Sequence, residues 1–523
     1  MRALTLGSLL LALVSATDPP TATIKNGSYY GLYQEAYDQH LFLGMPYAQP
    51  PVGDLRFRVP QSPNSTWTDV KNATEYSPEC YGYGSDQWVL GNVISEDCLT
   101  INVVRPSNVS EGGDLPVAGK PFIGVSFNYR LQAFGFLWGT AVKEAGVTNL
   151  GFRDQRLALH WVQENIAAFG GDATKVTIWG ESAGARGVSY QLIAYGGRDD
   201  GLFRGAVMQS GSPVKYIPGA YTNASEWDVY YNNITAAANC SAAADTLACL
   251  RLVPVETLSA ILNSSVASSA SWGPAVDGDY IEDTGPALLS EGKFVRVPIL
   301  LGTNNDEGTA FGKTGIDTTE EFFEYLVRAK GYDQAKANLL LELYPDIPEI
   351  GIPGTLHSRP GNDTSYGAMY KRVSAYAGDS TMHAPRRFMS EIWAANGLPS
   401  YSYRVNVLSA GISQYTGSTH FQEVAFVFYN LDGNGYNNSV ATDPFLNKPD
   451  SYKQLARVMT RMWASFIVDQ TPNNNGVTDV EWPQYSLDDP QNIVCDANVT
   501  DLAYIESDLF RAEAIAYMIN NGV

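Results

Sequence analysis

Positive charge is scarce in this 523-residue chain: Lys and Arg number 34 against 55 Asp and Glu, a formal net charge of −21. Such an excess repels phosphate backbones and anionic headgroups, which argues against nucleic acid and acidic lipid as partners. Beyond the N-terminal residues no apolar run approaches the ~20 residues that a membrane helix needs, so no stable membrane anchor is expected. Internal repeats and low-complexity linkers are also missing, and 45% of the residues are hydrophobic. A disordered chain is thereby excluded, and one large domain is favoured over several modules. Only five cysteines and five histidines are present. In an exported protein five cysteines suggest two bridges and one leftover thiol. Cys80 with Cys98 and Cys240 with Cys249 are the economical local pairings, leaving Cys495.

Export itself is read from the first sixteen residues. Arg2 precedes an apolar stretch from Leu4 to Val14 that ends Val14-Ser15-Ala16, a small-residue cleavage pattern, so 1–16 is expected to be a secretory signal peptide and 17–523 the folded domain. Sequons at Asn26, Asn64, Asn72, Asn108, Asn223, Asn233, Asn239, Asn263, Asn362, Asn437 and Asn498 fit an extracellular glycoprotein.

Strand-like runs fall at 99–104, 122–129, 176–179, 206–209, 297–301 and 401–407, with helical patterns at 153–169, 452–470 and 502–520. The alternation predicts an α/β fold with a mostly parallel sheet covered by helices on both faces. Within it, Gly180-Glu181-Ser182-Ala183-Gly184 follows the run Val176-Thr177-Ile178-Trp179 and leads into a helical stretch, which predicts a tight strand-to-helix turn with Ser182 at its tip. The flanking glycines are expected because a side chain on either would collide with the adjoining strand or helix.

A serine hydroxyl is a weak nucleophile and needs an imidazole to take its proton, with a carboxylate to fix the imidazole's tautomer. In the serine, acid, histidine order that accompanies such a turn, the base must follow Ser182, which removes His40 and His160. His420, in Gly417-Ser418-Thr419-His420 after the strand-like 401–407, has the better context. His357 and His383 stand beside loops, and surface or structural roles suffice for them. The acid is placed at Glu307, where the strand 297–301 runs into Gly302-Thr303-Asn304-Asn305-Asp306-Glu307-Gly308, because strand C-terminal ends hold the sites of α/β sheets. Asp306 is its adjacent competitor.

These residues resemble the type-B carboxylesterase/lipase family, which includes secreted fungal esterases and lipases and the cholinesterases. Further motifs carry the likeness: Phe42-Leu43-Gly44-Met45-Pro46-Tyr47-Ala48, Pro50-Pro51-Val52-Gly53, Leu55-Arg56-Phe57, Ser95-Glu96-Asp97-Cys98-Leu99-Thr100-Ile101-Asn102-Val103, Asn128-Tyr129-Arg130 and Gln209-Ser210-Gly211-Ser212-Pro213. The resemblance implies an α/β-hydrolase fold and an acyl-enzyme mechanism on a Ser182, Glu307, His420 triad. It also implies the Ala183 N–H as part of the oxyanion hole and Ser210 as support for the acid. The expected substrate is a small-molecule or lipid ester, with no metal or organic cofactor. By the same analogy Cys80 with Cys98 closes the loop that acts as a lid in the lipases. That loop, 81–97, is short and has scattered apolar residues such as Trp88, Val89 and Leu90. An esterase for soluble or short-acyl esters is therefore favoured over a true lipase.

One departure stands out. Family members place an apolar strand and a His-Gly-Gly-Gly-like loop between the Leu115-Pro116-Val117 segment and the strand that ends in Asn128-Tyr129-Arg130. Here Ala118 runs directly into Gly119-Lys120-Pro121, too short for the crossover of about a dozen residues that parallel strands need. Gly112-Gly113 precedes the gap and cannot stand in for the loop. The resemblance puts the lost strand between 122–129 and 176–179, so either a gap opens beside the nucleophile or those two strands pair anew. The chief oxyanion donors would go with it.

Overall fold

The computed structural model describes residues 18–83, 91–108, 121–214, 221–267, 270–360, 365–435 and 443–522. The signal-peptide stretch, the Ala118–Gly119 junction, Gly112-Gly113, Trp88, Val89, Leu90, Asn362 and Asn437 lie outside them. Two larger sheets carry the fold. The first contains β1 (Leu32–Gln34), β2 (Gln39–Pro46), β3 (Thr100–Pro106) and β4 (Gly124–Phe127), paired antiparallel in that order. The second contains β5 (Thr177–Glu181), β6 (Gly205–Gln209), β7 (Ile299–Asn304), β8 (Ser400–Val405), β9 (Gln491–Cys495) and β10 (Ala503–Ser507), also in chain order. Its first five strands are parallel and β10 is antiparallel to β9.

Burial on both faces explains the unbroken apolar runs of the second sheet. Ala206, Met208, Ile299 and Leu301 pack into one cluster with α2 (Ala183–Gly197), while the intervening Val207 and Leu300 pack into another with α3 (Asp450–Asp469). Between the two sheets the pairing stops: β4 and β5 belong to different sheets, with no described strand joining them. Of the two outcomes the sequence allowed, the described residues show the gap. What spans it is α1 (Leu150–Asn165), whose Phe152 and Leu159 join the core beneath α2 while Ala158, Trp161 and Val162 join the core under β2 and β3. The end of β4 is clamped to α1 by Arg130, whose Nε and Nη2 donate to the two oxygens of buried Asp154 at 2.8 and 2.6 Å.

Most expected elements recur with shifted ends. The stretch 502–520 is a correction: its first part is β10, and the helix α4 is confined to Ala512–Asn521. Pairing with β9, itself unread in the sequence, overrides the helical pattern there. Both expected disulfides form, Cys80 with Cys98 and Cys240 with Cys249, and Cys495 is a buried free thiol.

Candidate active site

β5 ends at Glu181 and α2 begins at Ala183, so Ser182 alone makes the turn, at φ 54° and ψ −115°, a backbone conformation that L-residues seldom adopt. Its N–H donates to Gln209 O at 2.8 Å, which ties the turn to β6. Gly180 is sterically required: a Cβ there would stand 2.3 Å from the backbone carbon of Gly184. Gly184 is not, since a Cβ on it would meet nothing within 4 Å. The expectation that both glycines avoid a collision therefore holds for the first only.

The three residues chosen from sequence converge. His420 Nε2 lies 2.7 Å from Ser182 Oγ, and His420 Nδ1 lies 2.8 Å from Glu307 Oε2. Glu307 follows the C-terminal end of β7 and is fully buried; its other oxygen accepts from Ser210 Oγ at 2.5 Å and from the Asn304 N–H at 2.8 Å. Ser210, just beyond the end of β6, thus contacts the acid directly. Ala183 is the first residue of α2, where helix amides have no intrahelical acceptor. The remaining histidines are elsewhere: His40 is half-buried on β2 beside Tyr33, His383 is buried against Thr303 Oγ1 at 3.0 Å, and His160 and His357 are exposed.

Two carboxylates unread in the sequence complete the surroundings. Glu181 Oε1 is buried without a hydrogen-bond partner among the described residues, 3.3 Å from His420 Nε2. Glu423, fully buried, accepts from Gln209 Nε2 at 2.9 Å and from Asn304 Nδ2 at 2.5 Å. Glu181 is the last residue of β5, and Glu423 comes from the turn after His420. Only the folded chain brings the two within electrostatic reach of one imidazole. Burial opposes protonation of His420, yet the hydrogen bond and charge of Glu307, with Glu181 and Glu423 behind it, push its pKa up to about 9. Burial, then the charge of Glu423, pushes Glu181 up to about 8. The Phe311 ring packs edge-on to His420 at 5.0 Å between centroids, and Phe428, 60% exposed, stacks on Trp179 at 4.6 Å. Among the described residues no group of three or more His, Cys, Asp or Glu is arranged to hold a metal ion.

A serine, imidazole and carboxylate in this linear order at the C-terminal edge of a parallel sheet form the arrangement of hydrolases of α/β-hydrolase fold. The chain belongs to the carboxylesterase family, which it matches over residues 18–118 and 117–508. The two matched stretches meet at the position where the sequence reading puts the lost strand. Lipase 4 of Diutina rugosa is 32% identical over 589 aligned positions that take in 99% of this chain and 98% of the relative. That alignment is longer than the 523 residues of this chain, so the relative carries segments without a counterpart here. Secreted lipase 1 of Botryotinia fuckeliana is 32% identical, with 89% of this chain and 88% of the relative covered. The crystal structure of Aspergillus niger EstA superimposes with a TM-score of 0.78 at 27% identity, covering 97% of this chain and 99% of that one.

Proposed function

We propose that this chain is a secreted serine esterase in which Ser182 attacks the carbonyl carbon of a carboxylic ester. The observation that carries the reading is the unbroken relay from Ser182 Oγ through His420 to Glu307, with both links under 3 Å. With its proton on Nδ1, held by Glu307, the imidazole offers Nε2 to the serine hydroxyl. It takes that proton as the Oγ–carbonyl bond forms, then gives it to the departing alcohol oxygen as the ester bond breaks. Water attacks the acyl-enzyme by the same route in reverse roles, releasing the acid and restoring Ser182. Ala183 N–H faces the developing oxyanion. With the Gly-rich loop lost, it does so with little help, so the rate is low for this architecture.

Purified chain and its Ser182→Ala variant are to be compared on a chromogenic short-chain ester and with a fluorophosphonate probe. Hydrolysis and labelling confined to the wild type support the reading; equal behaviour of the two favours a non-catalytic binding protein. A lipase is the second reading, favoured by the names of the relatives and by exposed Phe421, Phe428, Tyr429 and Leu446. Activity that climbs sharply once the substrate forms emulsion droplets selects it. Secretion is supported by the 1–16 pattern and by the sequons: Asn64, Asn72, Asn108, Asn223, Asn233, Asn239, Asn263 and Asn498 are exposed. No helix among the described residues is long and apolar enough to cross a membrane. Everything flanking Ala118 and Gly119 keeps the family register, so the chain is read as a shortened form of an active esterase, through alternative splicing or a mis-joined gene. A native transcript that reads continuously as written here overturns that origin.

A further inference from the structure

Asp306 looked in the sequence like a rival for the role of Glu307, and the turn after β7 separates the two completely. Glu307 faces His420. Asp306, fully buried, faces the far side, where three N–H donors converge on its carboxylate: Ser418 N at 2.8 Å on Oδ2, with Gly354 N at 3.1 Å and Asn305 Nδ2 at 2.7 Å on Oδ1. Its own backbone N–H donates to Ser418 O at 2.8 Å, so Ser418 is held by both its amide and its carbonyl. The grip continues through Thr309, whose hydroxyl lies 2.7 Å from Thr416 O and 2.8 Å from Thr419 Oγ1. Gly417, at φ +66°, lies flat against this carboxylate; a Cβ there would be 2.3 Å from Asp306 Oδ2. The Thr416–Thr419 approach to His420 is thereby docked on Asp306 at its centre and on Thr309 at its two ends.

We propose that Asp306 is a positioning residue for the base: its carboxylate fixes the loop that carries His420 and so sets the imidazole in line with Ser182. The catalytic consequence rests on His420 being the base, whereas the positioning does not. An asparagine cannot replace the carboxylate. If its oxygen keeps Gly354 and Asn305, its NH2 is turned against the Ser418 N–H, donor to donor. The charged and titratable groups around Asp306 are Arg404 on β8, Lys371 and Tyr370 on the helix Tyr370–Gly378, Arg511 before α4, and Glu307 beside it in the chain. Burial raises Asp306 to about 6 against the three N–H donors. The folded chain therefore binds this proton more tightly than the unfolded one. Stability from the group is full below the unfolded value and is lost as pH rises through about 6. At pH 7 a neutral Asn removes a buried charge, so loss of catalysis without loss of fold separates positioning from plain structural support.

The test is Asp306→Asn in the full chain. Expected are a kcat about a hundredfold lower with unchanged KM, the scale of a misplaced catalytic group, and a melting temperature not below the wild type. In the wild type the acid side of the log rate against pH is expected to steepen from slope one to slope two below about 6, where Asp306 takes up its proton; in the variant it stays at one. The low-field Nδ1–H NMR signal of His420 should be sharp in the wild type and broadened in the variant. Should Asp306→Asn fail to fold, Gly417→Ala, which forces the same contact apart from the loop side, is expected to give the same kcat loss. Wild-type kcat and an unchanged acid limb overturn the proposal, as does a kcat loss that only tracks loss of fold. If the wild type hydrolyses no ester, the proposed function fails, and the NMR signal alone still decides the positioning role.

Discussion

On one flank of Ser182, β6 and β7 are buried along their whole length, and the residues just beyond them, Ser210 and Glu307, are bonded to each other. On the other flank, β4 and β5 end their sheets: no residue of β4 is buried, and only Ile178 of β5 is. Hydrolysis of an ester makes two demands of a fold, movement of a proton and a welcome for negative charge on oxygen. The relay comes from the ends of β5, β6 and β7 and from the loop after β8, and of these only β5 borders the break. The amide donors come from that segment in the family. The contrast teaches that the sheet can be broken beside β5 with the relay still in line, and on the proposed reading the cost falls on the other half of the chemistry.

The hardest blow to the intact flank is Glu307→Gln, which keeps the shape but lets the imidazole take the wrong tautomer; kcat is expected to fall by about 10⁴, as when the equivalent acid of a serine protease is replaced. If the chain is already limited by its poor oxyanion hole, the measured loss will be smaller, and its size reports how far the two halves work together. The flank beside the break is tested by insertion of an apolar strand and Gly-rich loop between Ala118 and Gly119. A gain in kcat of about a hundredfold or more is expected, since one oxyanion donor is worth about 3 kcal/mol. No gain would mean that the two flanks fail together, not separately. Glu181→Gln sharpens the comparison at the point where the flanks meet. Its charge favours imidazolium, so its removal lowers the His420 pKa, and the acid limb of kcat should move towards neutral pH by about one unit, read from rates between pH 6 and 10. The mildest change is Ser210→Ala, which removes one of two hydrogen bonds to Glu307 Oε1. A several-fold lower kcat with the same KM is expected, from a bond worth about 1–2 kcal/mol.

The relay was legible because each member has a local signature: glycines around Ser182, a strand running into Glu307, and a strand-end loop for His420. The break between the sheets was legible as arithmetic, since too few residues lie between Pro116 and Phe122 for a crossover. What stayed hidden was set by orientation. Asp306 and Glu307 are neighbours of the same type, and only the turn decides which one meets the imidazole. Glu181 and Glu423 lie 242 positions apart in the chain and are joined by folding alone. Likewise β10 read as helix because residues 502–520 carry enough apolar spacing for one, and the partner that makes it a strand, β9, has a polar start that gives no clear strand signal.

The helix that crosses the break has a consequence for how the protein comes apart. Phe152 and Leu159 grip one core while Trp161 and Val162 grip the other, on the same rigid rod, so neither half can melt and leave its partner standing. Heat should therefore take the chain through a single cooperative endotherm in which calorimetric and van't Hoff enthalpies agree, as for one domain and not two.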